Sequence, residues 1–249
     1  MSILEIRNLT HVFPNGNKAI DNINLSFQAG EFVIIAGPNG SGKTVLIRHF
    51  NGLLKPTKGG VFLEGEPIYK DLTNARKKIG LIFQNSDSQI VAQTVAEDVA
   101  FGPENLKLPR REVESRVKKS LAAVRLSALS DQPPHALSGG QKKRLAIAGV
   151  LAMEPEIIVF DEPFAGLDYP GTVHILAEIV SLHRNKHTII LVTHELEKVL
   201  AHASRLIIIE KGRVVKDGAP GELVDQVEAY GIKRPYGING KVETMTWLK

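Results

Sequence analysis

The stretch "EFVIIAGPNGSGKTVLIRHFNG", Glu31–Gly52, decides the fold. Its apolar run, Phe32 to Ala36, is bounded by turn residues and reads as a buried strand. A glycine loop follows, and then a helical stretch, "TVLIRHFNG". The loop "GPNGSGKT", Gly37–Thr44, fits the pattern G-x-x-x-x-G-K-[ST]. The pattern alone is loose, and the strand before it and helix after it give it weight. The predicted phosphate-binding set is Gly37, Pro38, Asn39, Gly40, Ser41, Gly42, Lys43, Thr44 and Val45. The glycines let backbone N–H groups face phosphates, Lys43 reaches the β and γ phosphates, and the Thr44 hydroxyl holds Mg²⁺.

Three further runs end on polar residues: "KIGLIFQ" on Gln84, "EIIVFDEP" on Asp161 and Glu162, and "HTIILVTH" on His194. Helical stretches between them predict an α/β fold with a mostly parallel sheet. Ligands of such sheets bind outside the carboxyl ends of the strands. A loop, an amide, two carboxylates and an imidazole therefore meet at one edge. Asp161 suits an Mg²⁺ role, with Thr44 and Gln84, and Glu162 can orient or deprotonate an attacking water.

The 249 residues suffice for one large α/β domain with a subdomain or tail. A net charge of +4, with no block of like charges, gives no argument for nucleic acid. With no cysteine there is no disulfide framework, in keeping with a reducing cytosol. The N-terminal residues lack a secretory pattern, and no apolar run approaches the ~18 residues that span a bilayer. His183 and His187 are four apart, but Arg184 and Lys186 crowd them and no carboxylate joins them, so no metal site is expected.

"HALSGGQKKRLAIAGVLA", His135–Ala152, poses a separate question. Ser138 and Gln141 make a capping box, which accounts for the helix start. It does not account for Gly139 and Gly140, since each glycine costs a helix about 1 kcal/mol against alanine. Bare backbone at a helix N-terminus suits an approaching anion.

In order along the chain, the phosphate loop, Gln84, "LSGGQ", "IIVFDEP", "FAGLD" and His194 resemble the nucleotide-binding subunits of ATP-binding cassette (ABC) proteins, over roughly Ile3 to Gly218. The resemblance implies a P-loop NTPase fold of ABC type, with an N-terminal antiparallel β region and a helical subdomain at about 86–150. Residues 1–218 would form the nucleotide-binding domain and 219–249 a C-terminal extension. It implies ATP and Mg²⁺, catalysis by Glu162, His194, Lys43 and Gln84, and two cassettes facing head to tail. Leu137, Ser138, Gly139, Gly140 and Gln141 would close on ATP held by a second ATPase subunit, identical or paralogous, with Asp168 crossing the interface. Phe13 would stack on adenine, although as an aromatic in a strand it also suits core packing. After "GLD" the sequence "YPGTVHIL" departs from the family's usual Pro and basic residues.

"IGLIFQNSDSQIVAQTVAEDVAFGPENLKLP", Ile79–Pro109, is similar to the ATPase subunits of energy-coupling factor (ECF) transporters, cobalt and nickel importers included. This implies an ATPase that energises vitamin or metal uptake from the cytoplasmic face of the membrane. Its partners would be a transmembrane coupling subunit and a substrate-binding membrane subunit, docked near Gln89–Asn105, with Gln89 and Gln93 exposed. No nucleic acid is implied. The alternative is a soluble ABC ATPase not coupled to transport; such proteins carry long coiled coils or two cassettes, and neither is here. Thr94 and Glu97 predict a capped helix stopping before Gly102-Pro103. The next predicted helix places Val113, Val117, Leu121, Val124 and Ala128 on one face. A tail helix is expected at Glu222 to Tyr230.

Overall fold

The computed structural model describes residues 2–236 and 241–248. Part of the Gly/Pro-rich tail end, residues 237–240 and 249, lies outside them. The elements run β1 (Ser2–Val12), β2 (Lys18–Gln28), β3 (Phe32–Ala36), α1 (Lys43–Phe50), β4 (Lys58–Leu63), β5 (Glu66–Pro67), α2 (Leu72–Lys78) and β6 (Ile79–Ile82). Then follow α3 (Val95–Asn105), α4 (Arg110–Ala123), α5 (Gly139–Leu151), β7 (Ile157–Asp161), α6 (Tyr169–Arg184), β8 (Thr188–Val192), β9 (Arg205–Glu210), β10 (Arg213–Gly218) and α7 (Pro220–Leu223).

The central sheet has the order β10-β9-β3-β8-β7-β6. All its neighbours are parallel except β10, which returns antiparallel to β9. The four strands read from the sequence are β3, β6, β7 and β8, and they are contiguous. A second, antiparallel sheet, β2-β1-β4-β5, forms the expected N-terminal β region. Every residue of β3, β7 and β8 is buried, because both faces of the sheet are covered. Strand alternation divides the core in two. Phe32, Ile34 and Ala36 pack with the α5 and α6 side chains, whereas Val33 and Ile35 pack with the antiparallel sheet and α1.

The helical region departs from expectation at two ends. Helix α3 runs through Gly102-Pro103 to Asn105. Pro103 lies in the last turn, so the bond it lacks and the crowding of its ring against the carbonyl four residues back fall where the helix is already ending. Gly102 serves packing instead, since a Cβ there would lie 2.4 Å from Met153 Sδ. Helix α4 stops at Ala123, and Ala128 is exposed rather than on the apolar face. Arg125 takes φ +56°, and the bonds Leu126 N–H to Leu121 O (2.8 Å) and Arg125 N–H to Ala122 O (3.1 Å) close a Schellman turn without glycine. Leu126, fully buried, takes the apolar place.

The tail is helical where expected but differently wound. Pro220–Leu223 is α-helical and Val224–Tyr230 is 3₁₀. Residues 241–248 return to the body: Met245 is buried, its carbonyl accepts from Ala201 N–H (3.1 Å), and Trp247 N–H donates to Lys198 O (3.2 Å). No helix among the described residues is long and apolar enough to cross a membrane.

Candidate functional site: a phosphate-loop cavity and a glycine-led helix

At the carboxyl end of β3 the chain turns through Gly37–Gly42 into α1. Two positions demand glycine. Gly42, the N-cap of α1, has φ +103°, and a Cβ on it would sit 2.6 Å from Ala19 O. A Cβ on Gly37 would sit 2.2 Å from Ile209 O. Lys43 is buried and its Nζ donates to the carbonyls of Gly37 (2.7 Å) and Pro38 (2.9 Å), folding the loop around its own ammonium. Burial pushes the Lys43 amine below its ordinary value, against the pull of Glu162 and Asp161.

A cavity of about 620 Å³ opens over this loop. Asn39, Gly40, Ser41, Gly42, Lys43, Thr44 and Val45 line it, together with Phe13, Gln84, Glu162 and His194. Residues predicted from four strand ends, with Phe13 just after β1, therefore share one space, while Gly37, Pro38 and Asp161 lie outside its lining. Gly212 and two basic residues, Lys18 and Lys211, which the sequence reading did not single out, also line it.

Asp161 and Glu162 leave β7 side by side but face different partners. Thr44 Oγ1 donates to Asp161 Oδ1 at 3.1 Å. Burial lifts the Asp161 carboxyl above its usual range, the Thr44 bond opposing and the Glu162 charge adding to the rise. Glu162 holds φ +45°, uncommon for a residue with a side chain, and its N–H is fixed on Val192 O at 2.9 Å. Thr193 Oγ1 donates to Glu162 Oε2 (3.1 Å) and His194 Nδ1–H donates to Glu162 Oε1 (2.8 Å). Each carboxylate oxygen keeps a lone pair for a further donor. Thr193 was missed because its bond spans 31 residues of sequence.

A hydroxyl, a carboxylate and an amide oxygen are hard donors that suit Mg²⁺. Among the described residues no group of three His, Cys, Asp or Glu could hold a metal. The donor set therefore fits an ion that takes its other ligands from substrate phosphate and water.

Phe13 is half-buried at the cavity wall. His11 meets its ring edge-on, 4.8 Å between centroids. His49 Nε2 lies 3.1 Å from His11 Nδ1, and His49 Nδ1–H donates to Val45 O at 2.7 Å. Burial pushes the His49 imidazole down to about 4.

The predicted "LSGGQ" segment borders a different cavity, of about 430 Å³. Ser138, Gly139, Gly140 and Gln141 line it with Arg144, Asp168 and His174, and it shares no residue with the first. Leu137 lies just behind, buried in the core. The capping box is present: Ser138 N–H donates to Gln141 Oε1 (2.7 Å) and Gln141 N–H to Ser138 Oγ (3.3 Å). Among the described residues no steric contact requires the two glycines. A Cβ on Gly139 would meet no atom within 4 Å, and one on Gly140 only Leu167 at 3.9 Å. Asp168 N-caps α6 through Gly171 N–H (2.9 Å).

The segment after β6 reaches the first cavity at Gln84 and then borders a third. Gln89 is half-buried, correcting the expectation that it is exposed: its side chain accepts from Phe83 N–H (3.1 Å) and donates to Leu81 O (3.3 Å). Asp98 accepts from Val91 and Ala92 N–H. Gln93 and Val91 remain exposed beside a groove of about 550 Å³ formed with Pro133, Pro134 and His135.

Comparison with known proteins agrees with this geometry. The family model "ABC transporter" matches residues 20–165. The "Energy-coupling factor transporter ATP-binding protein EcfA" of Methanocaldococcus jannaschii is 48% identical over 231 residues, covering 92% of this chain and 83% of that protein. The structure of cbiO1 from Clostridium perfringens, part of the ABC transporter complex cbiONQ, superposes with a TM-score of 0.81 at 38% identity, covering 92% of each chain. A dimeric ATP-binding cassette in a post-hydrolysis state with ADP and Pi gives 0.77 at 31% identity, over 87% of this chain and 98% of that one. With its phosphate loop, Asp161-Glu162 pair and glycine-led helix in one α/β frame, the chain belongs to the ABC transporter family as one of its ATP-binding, ATP-hydrolysing cassettes.

Proposed function

We propose that the chain powers a membrane importer of the ECF type, for a vitamin or a transition metal, by ATP-driven closure of two cassettes placed head to tail. The observation that carries this is the pair Gly139-Gly140. Their bare backbone opens a helix N-terminus onto a cavity apart from the phosphate loop, and no steric contact among the described residues requires it. A phosphate held by a second chain supplies the reason. The likeness to a cassette that is dimeric with ADP and Pi, and to a subunit of cbiONQ, supports the reading.

In this reading the loop from Gly37 to Val45 binds the phosphates through backbone N–H groups, and Lys43 neutralises the β and γ oxygens. Phe13 stacks on adenine. Thr44, Asp161 and Gln84 hold Mg²⁺, which supplies charge neutralisation across the phosphates. Glu162 takes a proton from the attacking water, held in aim by Thr193 and His194. His194, fixed through Nδ1, keeps Nε2 for the γ-phosphate. The signature, Leu137 to Gln141, and Asp168 complete the partner's site. Catalysis rests on positioning and preorganised dipoles. Residues 1–218 act as the nucleotide-binding domain, with the subdomain at about 86–150 and an extension from 219.

The membrane partners, a coupling subunit and a substrate-binding subunit, dock at the groove beside Gln93 and Val91, which places the protein peripherally on the cytoplasmic face. The chain has no cysteine, so an introduced one is a unique probe. Cysteines at Gln93 and Val91, each joined to a short bifunctional crosslinker, should trap an integral membrane protein when complexes are isolated from membranes of cells expressing the native operon. Intact complexes with no such adduct from either position would contradict the docking face.

A further inference from the structure

Lys143 stands one turn into α5 and is 3% exposed. Its Nζ donates to Gln84 O at 2.6 Å and lies 3.4 Å from Phe83 O. Among the described residues no carboxylate is bonded to it; Asp161 acts on it only at a distance, and burial pushes its amine below the ordinary value. An ammonium taken from water without a counter-ion weakens a fold, and an apolar side chain of the same length in that place is commonly neutral or stabilising. Both carbonyls that Lys143 holds, Phe83 O and Gln84 O, are part-buried, and an apolar side chain would leave them without this donor. The desolvation of the ammonium and the two carbonyl bonds oppose each other, so stability alone does not select a lysine here.

Position does give a reason. Gln84 borders the phosphate-loop cavity, and α5 begins at the glycines of the other cavity. Lys143 is the buried tie between them. The neighbouring Lys142–Asp87 pair, 2.7 Å, is solvent-exposed and of the kind that contributes little. We propose that Lys143 is a positioning residue that sets the glycine-led N-terminus of α5 against the Gln84 segment, so that displacement of either moves the other. This rests on the head-to-tail reading above. There Gln84 faces the chain's own ATP and α5 faces its partner's, so Lys143 joins the two sites of the dimer.

The test uses a mixed dimer of Lys43→Ala and Gly139→Asp chains, which has one complete site: the phosphate loop of the second and the signature of the first. Lys143→Met is added to the Lys43→Ala chain. That chain's own Gln84 borders the disabled site, so Lys143 reaches the working site only through α5. Single-turnover cleavage should fall about tenfold, as expected when a site is misplaced by a fraction of an ångström. ATP affinity should stay within twofold, the thermal midpoint should hold or rise, and Lys143→Arg should recover most of the rate. Undiminished cleavage overturns the inference alone. So does a Lys143→Met chain that fails to fold, or a loss that tracks a lowered midpoint and that arginine does not recover, since either is a plain structural role. Absence of cleavage in the parent mixed dimer overturns the head-to-tail reading, and the inference with it.

Discussion

Glu162→Gln should lower the rate of ATP hydrolysis about 10³-fold, within the range of losing a positioned general base, while ATP binding persists. The hydrogen bonds explain why the substitution is so clean. The glutamine oxygen still accepts from His194 Nδ1–H, and its NH₂ can donate to Thr193 Oγ1, whose hydroxyl turns to accept. The backbone bond to Val192 is untouched. What disappears is the basic lone pair and a negative charge on the wall of the phosphate-loop cavity. The variant should therefore accumulate as an ATP-bound dimer, visible by size-exclusion chromatography with ATP and absent with ADP. Hydrolysis at the normal rate would remove Glu162 from the chemistry.

Gly139→Asp should abolish at least 99% of hydrolysis, about the cost of losing one preorganised donor to the transition state, without weakening the chain. A Cβ at Gly139 meets nothing within 4 Å, and its φ is not in the left-handed region. An aspartate in the first turn also complements the helix dipole, so the thermal midpoint should hold or rise. ATP binding by the separate chain should match the parent, because the phosphate-loop cavity contains no residue of α5. On the head-to-tail proposal the carboxylate should act only when it is brought against another chain's phosphate. A variant with normal hydrolysis would leave the glycines without the role given to them.

Much of this site was legible because its signals are local. Buried strands show as unbroken apolar runs, and both capping boxes lie within four residues: Thr94 with Glu97, and Ser138 with Gln141. The strand ends at Gln84, Asp161 and His194 converge because parallel strands present their carboxyl ends on one edge. What the sequence did not show is carried by distant contacts. Lys143 reaches Gln84 across 59 residues and Thr193 reaches Glu162 across 31, with nothing in their neighbourhoods to mark them. Gln89, read as exposed, is drawn in by the backbone of β6. The ends of α3 and α4 were misplaced because residues stood in unusual roles: Gly102 makes room for Met153, and Arg125 takes the left-handed position usually given to glycine.

The most direct test of the central claim mixes Lys43→Ala chains, which lack the phosphate grip but carry an intact signature, with Gly139→Asp chains, which have the reverse. Differential tags isolate the mixed dimer, and single-turnover ATP cleavage is measured. Each homodimer holds two defective sites, whereas the mixed dimer holds one doubly defective site and one complete one. Cleavage restored to about half the parent amplitude, as one site of two requires, is the result expected if Ser138-Gly139-Gly140 serves a partner's ATP. No cleavage in verified mixed dimers would mean that this helix N-terminus serves its own chain or no phosphate at all.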